Sequence, residues 1–195
     1  MTTFVALLRA VNVSGQNKIP MAELRRVLGG LGLIGVETYV QSGNLVFDAQ
    51  ADDPAEQAAA IHGLIERELG HDVRVLVLTA AELAQVAAAN PFVSSAADEK
   101  ALHVTFLERP VEETAFGSLD LPAQGDEQAV ITAGAAASGA GGAAPAGGVV
   151  YLYLPHGYGR TKLNNAYFER ALGTSATTRN WRTVLALVDM SARRV

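Results

Sequence analysis

Cysteine is absent from this 195-residue chain, which excludes disulfides, thiolate metal sites and cysteine nucleophiles. No apolar run approaches the roughly 20 residues that a membrane helix needs. Met1-Thr-Thr-Phe enters an apolar segment without a charged leader, so no secretory signal is predicted. The four histidines, His62, His71, His103 and His156, lack metal-ligand spacing. Neither a Gly-x-x-x-x-Gly-Lys phosphate loop nor a serine-centred nucleophile elbow is present. The aromatic strand signature on which RNA-recognition domains stack bases is missing as well. The carboxylate pairs Asp52-Asp53 and Glu112-Glu113 fall at helix starts, where the helix dipole accounts for them. The expectation is a cytoplasmic protein with no cofactor, no metal and no membrane partner, whose oligomeric state the sequence leaves open.

Charge is unevenly spread. Residues 1–48 carry four Lys/Arg against three Asp/Glu, residues 49–148 four against fifteen, and residues 149–195 seven against two. The acidic middle disfavours long nucleic acids. The cationic tail suits a small phosphate or carboxylate, although a solvated basic helix face would look the same.

With 49% hydrophobic residues the chain can bury a real core. Phe4 to Leu8 reads as a strand. After Pro20, the positions Met21, Leu24, Val27, Leu28 and Leu31 repeat at helical spacing and Gly32 offers a stop. Val36–Gln41 and Asn44–Phe47 read as strands paired across Ser42-Gly43. Asp53 caps a helix containing Ile61, Leu64, Ile65 and Leu69, closed by Gly70, and Val73–Leu78 is another strand. The order β-α-β-β-α-β is ferredoxin-like.

Thr79-Ala-Ala-Glu opens a further helix that stops before Asn90-Pro91. Strands are predicted at Leu102–Leu107, Gln128–Thr132 and Val149–Leu154. Helices are predicted at Val111–Phe116, at Leu163–Leu172 and around Trp181, Val184, Leu185 and Val188. Hence the fold class is α+β, with two ferredoxin-like halves packed into one compact unit. The second half is incomplete, with a helix where a fourth strand could stand. The predicted division is 1–79, a connector at 80–100, and 101–195. The Ala/Gly stretch 133–148 lacks periodicity and large side chains, and reads as a flexible hairpin excursion.

Candidate chemistry gathers in two places. In the tail, Gly157 and Gly159 permit close backbone approach, and Arg160 and Lys162 follow. Thr178 is the expected N-cap of the last helix, aiming N–H groups near Arg179 and Asn180 at an anion. Its plain alternative is a cap with Arg179 paired to a surface carboxylate, and Trp181 suits core packing. The second place is the end of the first strand and the hairpin: Arg9, Asn12, Asn17 and Lys18 with Gln41, Ser42 and Asn44. Asn and Ser there are equally ordinary turn residues. His156, inside the cationic run, is the one candidate for general acid or base.

These residues resemble a known family. Leu7-Leu-Arg-Ala-Val-Asn-Val-Ser-Gly-Gln-Asn-Lys-Ile-Pro-Met-Ala-Glu-Leu, Thr38-Tyr-Val-Gln-Ser-Gly-Asn-Leu-Val-Phe, Gly159-Arg-Thr-Lys-Leu and Ala176-Thr-Thr-Arg-Asn-Trp-Arg-Thr-Val look like the bacterial domain-of-unknown-function family 1697. The resemblance implies an α+β protein with two ferredoxin-like halves and brings no activity with it. The family's motif positions map here to Arg9, Asn12, Lys18, Gln41, Ser42, Gly43, Asn44, Arg160, Lys162, Thr178, Arg179, Asn180 and Trp181. The Ala/Gly excursion is unlike the family pattern, and His156 is not a position at which the family is expected to need histidine.

Three functions follow as expectations. The first is a binding protein whose polar clusters converge on one small anionic ligand, a nucleotide or phosphorylated metabolite, between the halves. The second is a phosphoryl- or acyl-transfer enzyme in the same cleft, using His156 or Ser42. The third is an interaction protein without a ligand, in which the motifs are caps and turns.

Overall fold

The structure, a computed structural model, describes residues 1–13, 17–50, 53–94, 98–111, 113–117, 119–134 and 147–194. Most of the Ala/Gly stretch (135–146), together with Asp52 and Glu112 of the carboxylate pairs, lies outside the described residues. The chain divides into two compact units, Met1–Ala81 with Ala186–Val195, and Glu82–Leu185.

The first unit runs β1 (Thr2–Leu8), α1 (Met21–Leu28), β2 (Ile34–Tyr39), β3 (Asn44–Ala49), α2 (Pro54–Leu69) and β4 (Val75–Thr79). Its antiparallel sheet has the order β2-β3-β1-β4. Central β1 is buried on both faces. Phe4, Ala6 and Leu8 join the helical core, while Val5 and Leu7 point the other way, equally buried. That two-sided burial is why β1 reads as an unbroken apolar run rather than an alternation. Phe4 pairs directly with Phe47 across the ladder, and their rings stack at 5.7 Å.

Helix α1 buries Met21, Leu24, Val27 and Leu28, the predicted stripe, and α2 buries Ile61, Leu64 and Ile65. The Asp53 carboxylate accepts from the Ala55 N–H at 2.8 Å and Gly70 closes α2 at φ 69°. The β2–β3 connection is longer than predicted. Tyr39 pairs with Asn44, so Val40 to Gly43 form the turn, with Val40 at φ 50° and Gly43 at φ 74°.

Helix α3 (Ala80–Ala88) leads into the second unit. There follow β5 (Leu102–Leu107), α4 (Glu113–Gly117), β6 (Gln128–Thr132), β7 (Val149–Tyr153), α5 (Asn165–Leu172), β8 (Ala176–Asn180) and α6 (Trp181–Ala192). The sheet order is β6-β7-β5-β8, again antiparallel. One face carries Val150, Leu152, Leu107 and Ala176 against Leu163 and Phe168. On β7, Tyr151 points to the opposite face and donates its hydroxyl to the Val86 carbonyl at 3.0 Å; burial raises its pKa to about 12.

The second sheet is therefore complete, which corrects the expectation of an incomplete half. Residues 176–180 are its fourth strand. The segment escapes pattern reading because Ala-Thr-Thr-Arg-Asn contains no large apolar residue. Its inward contact is polar: Thr178, paired in register with Thr105, meets that residue's hydroxyl at 2.7 Å.

Candidate functional site

In the first unit the loop after β1 is held by side chains predicted to be ligand groups. Asn12 sits at φ 54°, a left-handed conformation that asparagine tolerates better than most residues. Its amide nitrogen donates to the carbonyls of Ile19 (2.8 Å) and Gln41 (2.7 Å), and its oxygen accepts from the Ile19 N–H (2.9 Å). One amide thus joins the loop to the β2–β3 turn. Asn44, fully buried, donates to the Tyr39 carbonyl (3.0 Å) and the Ser42 hydroxyl (3.2 Å), closing the turn from beneath. Asn17 donates to the Ala10 carbonyl at 3.3 Å.

Gly43 is required twice over. Its φ is left-handed, and a Cβ there would lie 2.7 Å from Leu8 Cβ. Its carbonyl accepts from the Leu8 N–H at 2.8 Å, so the turn is pressed against the end of β1. The Arg9 N–H donates to the Arg74 carbonyl at 2.8 Å. The Gln41 side chain is exposed, as is that of Lys18. Lys18 lines a cleft of about 170 Å³ with Ile19, Pro20, Glu23, Glu68 and His71.

In the second unit the predicted anchor changes role. Thr178 does not cap the last helix, because it lies inside β8. The cap is Asn180, whose side-chain oxygen accepts from the Thr183 N–H at 2.8 Å. The backbone near Arg179 belongs to the strand, and α6 begins only at Trp181. Arg179 is itself buried and donates to the Thr177 hydroxyl (2.8 Å) and the Thr178 carbonyl (2.9 Å). Strand alternation puts Arg179 and Thr177 on one face of the sheet, and Thr178, Asn180, His103 and Thr105 on the other. Trp181 is buried, as its place in an apolar stripe predicts.

On the Thr178 face lies a chain of hydroxyls that pattern reading missed. The Thr178 hydroxyl donates to the Asn165 side-chain oxygen (2.6 Å) and accepts from the Tyr158 hydroxyl (3.2 Å). Tyr158 accepts in turn from the Asn165 N–H at 3.1 Å, and its ring stacks on His103 with centroids 5.4 Å apart. His103 is buried, which lowers its pKa, and Nδ1 faces the Ala101 carbonyl at 3.3 Å. The proton of the neutral ring therefore sits on Nδ1. Tyr158 thus fastens the 154–164 connection to β5 and β8.

A second brace comes from Glu127. Its buried carboxylate accepts from the Thr161 hydroxyl (2.9 Å) and the Gln124 N–H (3.0 Å), while the Thr161 oxygen also accepts from the Leu163 N–H (3.0 Å). Arg160 stands between these braces and Lys162 directly after the second, both exposed. Among the described residues neither enters an ion pair. His156 is also exposed, on the same connection. No group of three or more His, Asp or Glu among the described residues is placed to hold a metal. No helix among them is long and apolar enough to cross a membrane.

Two four-stranded antiparallel sheets with helices between their strands define a mixed α+β protein. Residues 1–136 match the model of DUF1697, a family described as proteins of unknown function, and the chain belongs to that family. No curated protein matches it. Among solved structures it is similar to the conserved bacterial protein SP0830 from Streptococcus pneumoniae, at 23% identity and a TM-score of 0.68 over 97% of this chain and 98% of that one. At that identity the likeness bears on the fold alone.

Proposed function

We propose that the protein binds a small anion, a free phosphate or the phosphate of a nucleotide or metabolite, at the glycine-rich connection 155–162 of its second unit. The observation that carries this reading is the pair Arg160 and Lys162. Both cations are exposed and unpaired among the described residues; Arg160 lies between the anchored residues Tyr158 and Thr161, and Lys162 directly follows Thr161, whose oxygen also accepts from the Leu163 N–H. A guanidinium and an ammonium on fixed backbone lose less freedom on binding than the same groups on a loose loop. Glycines at 157 and 159 leave open space beside the backbone, with no atom within 4 Å of a notional Cβ at either.

Titration calorimetry with inorganic phosphate, nucleotides and sugar phosphates tests the reading. Arg160→Ala with Lys162→Ala should weaken any binder at least about tenfold, two charge-assisted contacts being lost. Arg179→Ala, on the opposite face, should leave that affinity within about twofold. A panel without a binder, or a binder indifferent to the double variant, refutes it.

The interaction-protein reading has its own support: Asn12, Asn44, Thr178 and Asn180 all direct side-chain groups at the protein itself. We also read both units as ferredoxin-like. The sheet orders β2-β3-β1-β4 and β6-β7-β5-β8, each with a helix following its first and third strands, support that description.

A further inference from the structure

We propose that β6 is a self-association edge, pairing antiparallel with β6 of a second copy around a two-fold axis through Val130. An edge strand offers a row of unpaired N–H and C=O groups, and proteins that stay monomeric blunt it with charge, proline or a bulge. The first sheet shows such blunting at its own edge. In β2 the register shifts between Ile34 and Glu37, and Gly35 sits at φ 61°. Arg194 then donates to the Gly35 carbonyl and lies 2.5 Å from the Glu37 carboxylate.

Strand β6 has none of these devices. It pairs with β7 through five consecutive residues, Gln128 with Tyr153 to Thr132 with Val149, without a bulge. Its sequence, Gln-Ala-Val-Ile-Thr, holds no charge and no proline. No backbone hydrogen bond to a third strand or to a loop is made by residues 128–132 among the described residues. Val130 is 41% exposed.

The strand is also its own complement, which is why the second copy is the occupant the observations favour. About a two-fold axis at Val130, Gln128 faces Thr132 of the other copy, Ala129 faces Ile131, and Val130 faces Val130. Polar residues meet polar ones at both ends, and a small residue meets a large one on the face that packs on the core. Ala129 and Ile131 are already partly buried against that core and would gain cover from the partner. No like charges oppose one another. A five-residue pairing lies at the small end of specific interfaces, below about 1,200 Å², so the association depends on concentration.

Sedimentation equilibrium of the full chain, from micromolar to millimolar concentration, tests this. The weight-average mass should rise from the 20.4 kDa of the monomer toward twice that value. Directly opposed residues have Cβ atoms about 4.5–5.5 Å apart, so Val130→Lys sets two ammonium groups against each other. Association should fall at least about tenfold. Mixing Val130→Lys with Val130→Glu protein should restore a mixed dimer. Gln128→Lys with Thr132→Lys, both at exposed positions, gives a second charge block and should also leave monomer. A wild-type chain that stays monomeric throughout overturns the proposal, including the case where it takes up a foreign strand instead. So does a dimer that survives both charge variants, since it would then form through another face.

Discussion

Asn12 is one of the residues expected from the sequence to bind a ligand, and its substitution separates a ligand residue from a structural one. Asn12→Ala removes three hydrogen bonds that together serve the Ile19 N–H, the Ile19 carbonyl and the Gln41 carbonyl. At about 0.5–1.5 kcal/mol each, discounted for the exposed Gln41 contact, they amount to about 2 kcal/mol. Alanine at φ 54° adds about 1 kcal/mol of backbone strain. Asn12→Ala should therefore destabilise the protein by about 3 kcal/mol, and Asn12→Gly by about 2 because it relieves the strain. Asn12→Asp retains the acceptor for the Ile19 N–H but turns a carboxylate toward two carbonyls. That raises the folded-state pKa above the unfolded carboxyl value. Its deficit should be greatest at neutral pH and shrink as pH falls through the folded-state value. Urea melts followed by far-UV circular dichroism give all three numbers. Losses below about 1 kcal/mol for Asn12→Ala, or an Asn12→Asp variant that worsens on acidification, would refute the reasoning.

Other substitutions probe single contacts. Gly43→Ala should cost more than about 2 kcal/mol, because its Cβ meets Leu8 Cβ at 2.7 Å, whereas Gly157→Ala, with open space at φ 85°, should cost about 1; paired urea melts compare them. Arg194→Ala leaves the largely buried Asp48 carboxylate with the Thr3 hydroxyl but no cation, and should destabilise by about 1–3 kcal/mol, with 0.5 M salt recovering little of the loss; melts at two salt concentrations check it. Because burial lowers the His103 pKa, protonation favours the unfolded chain, so stability should fall as pH drops below the unfolded value near 6.5. His103→Gln should flatten that part of the stability curve, and an NMR titration of the ring should give a midpoint under 6.5.

Much of the fold was legible because its signals are local and apolar. The stripe from Met21 to Leu28, the Asp53 cap, and the glycines at 70 and 173 each occupy the predicted place. β8 was not legible. Its cohesion comes from threonine hydroxyls that find partners in β5 and α5, 73 and 13 residues away. Short polar strands of this kind look like caps, since Ser and Thr suit both. Misreading β8 moved the helix start two residues early and gave Thr178 the task that Asn180 performs. Tyr158 and Glu127 were overlooked for a related reason: a stacked ring and a buried carboxylate leave no periodic trace.

The same contacts divide the expected site residues into two kinds. Asn12, Gly43 and Asn44 occupy positions where one amide satisfies several backbone groups or where only glycine fits, and neither demand can be met by a similar residue. Arg160 and Lys162 differ in kind. They stand exposed on a braced connection and satisfy no internal acceptor among the described residues, so nothing in the packing requires their charge. Removing both should therefore leave the unfolding free energy from urea melts within about 0.5 kcal/mol of wild type, as for surface positions generally, while weakening anion binding at least about tenfold. A large stability loss in that double variant would place the two cations with the structural set and leave the binding proposal without its residues.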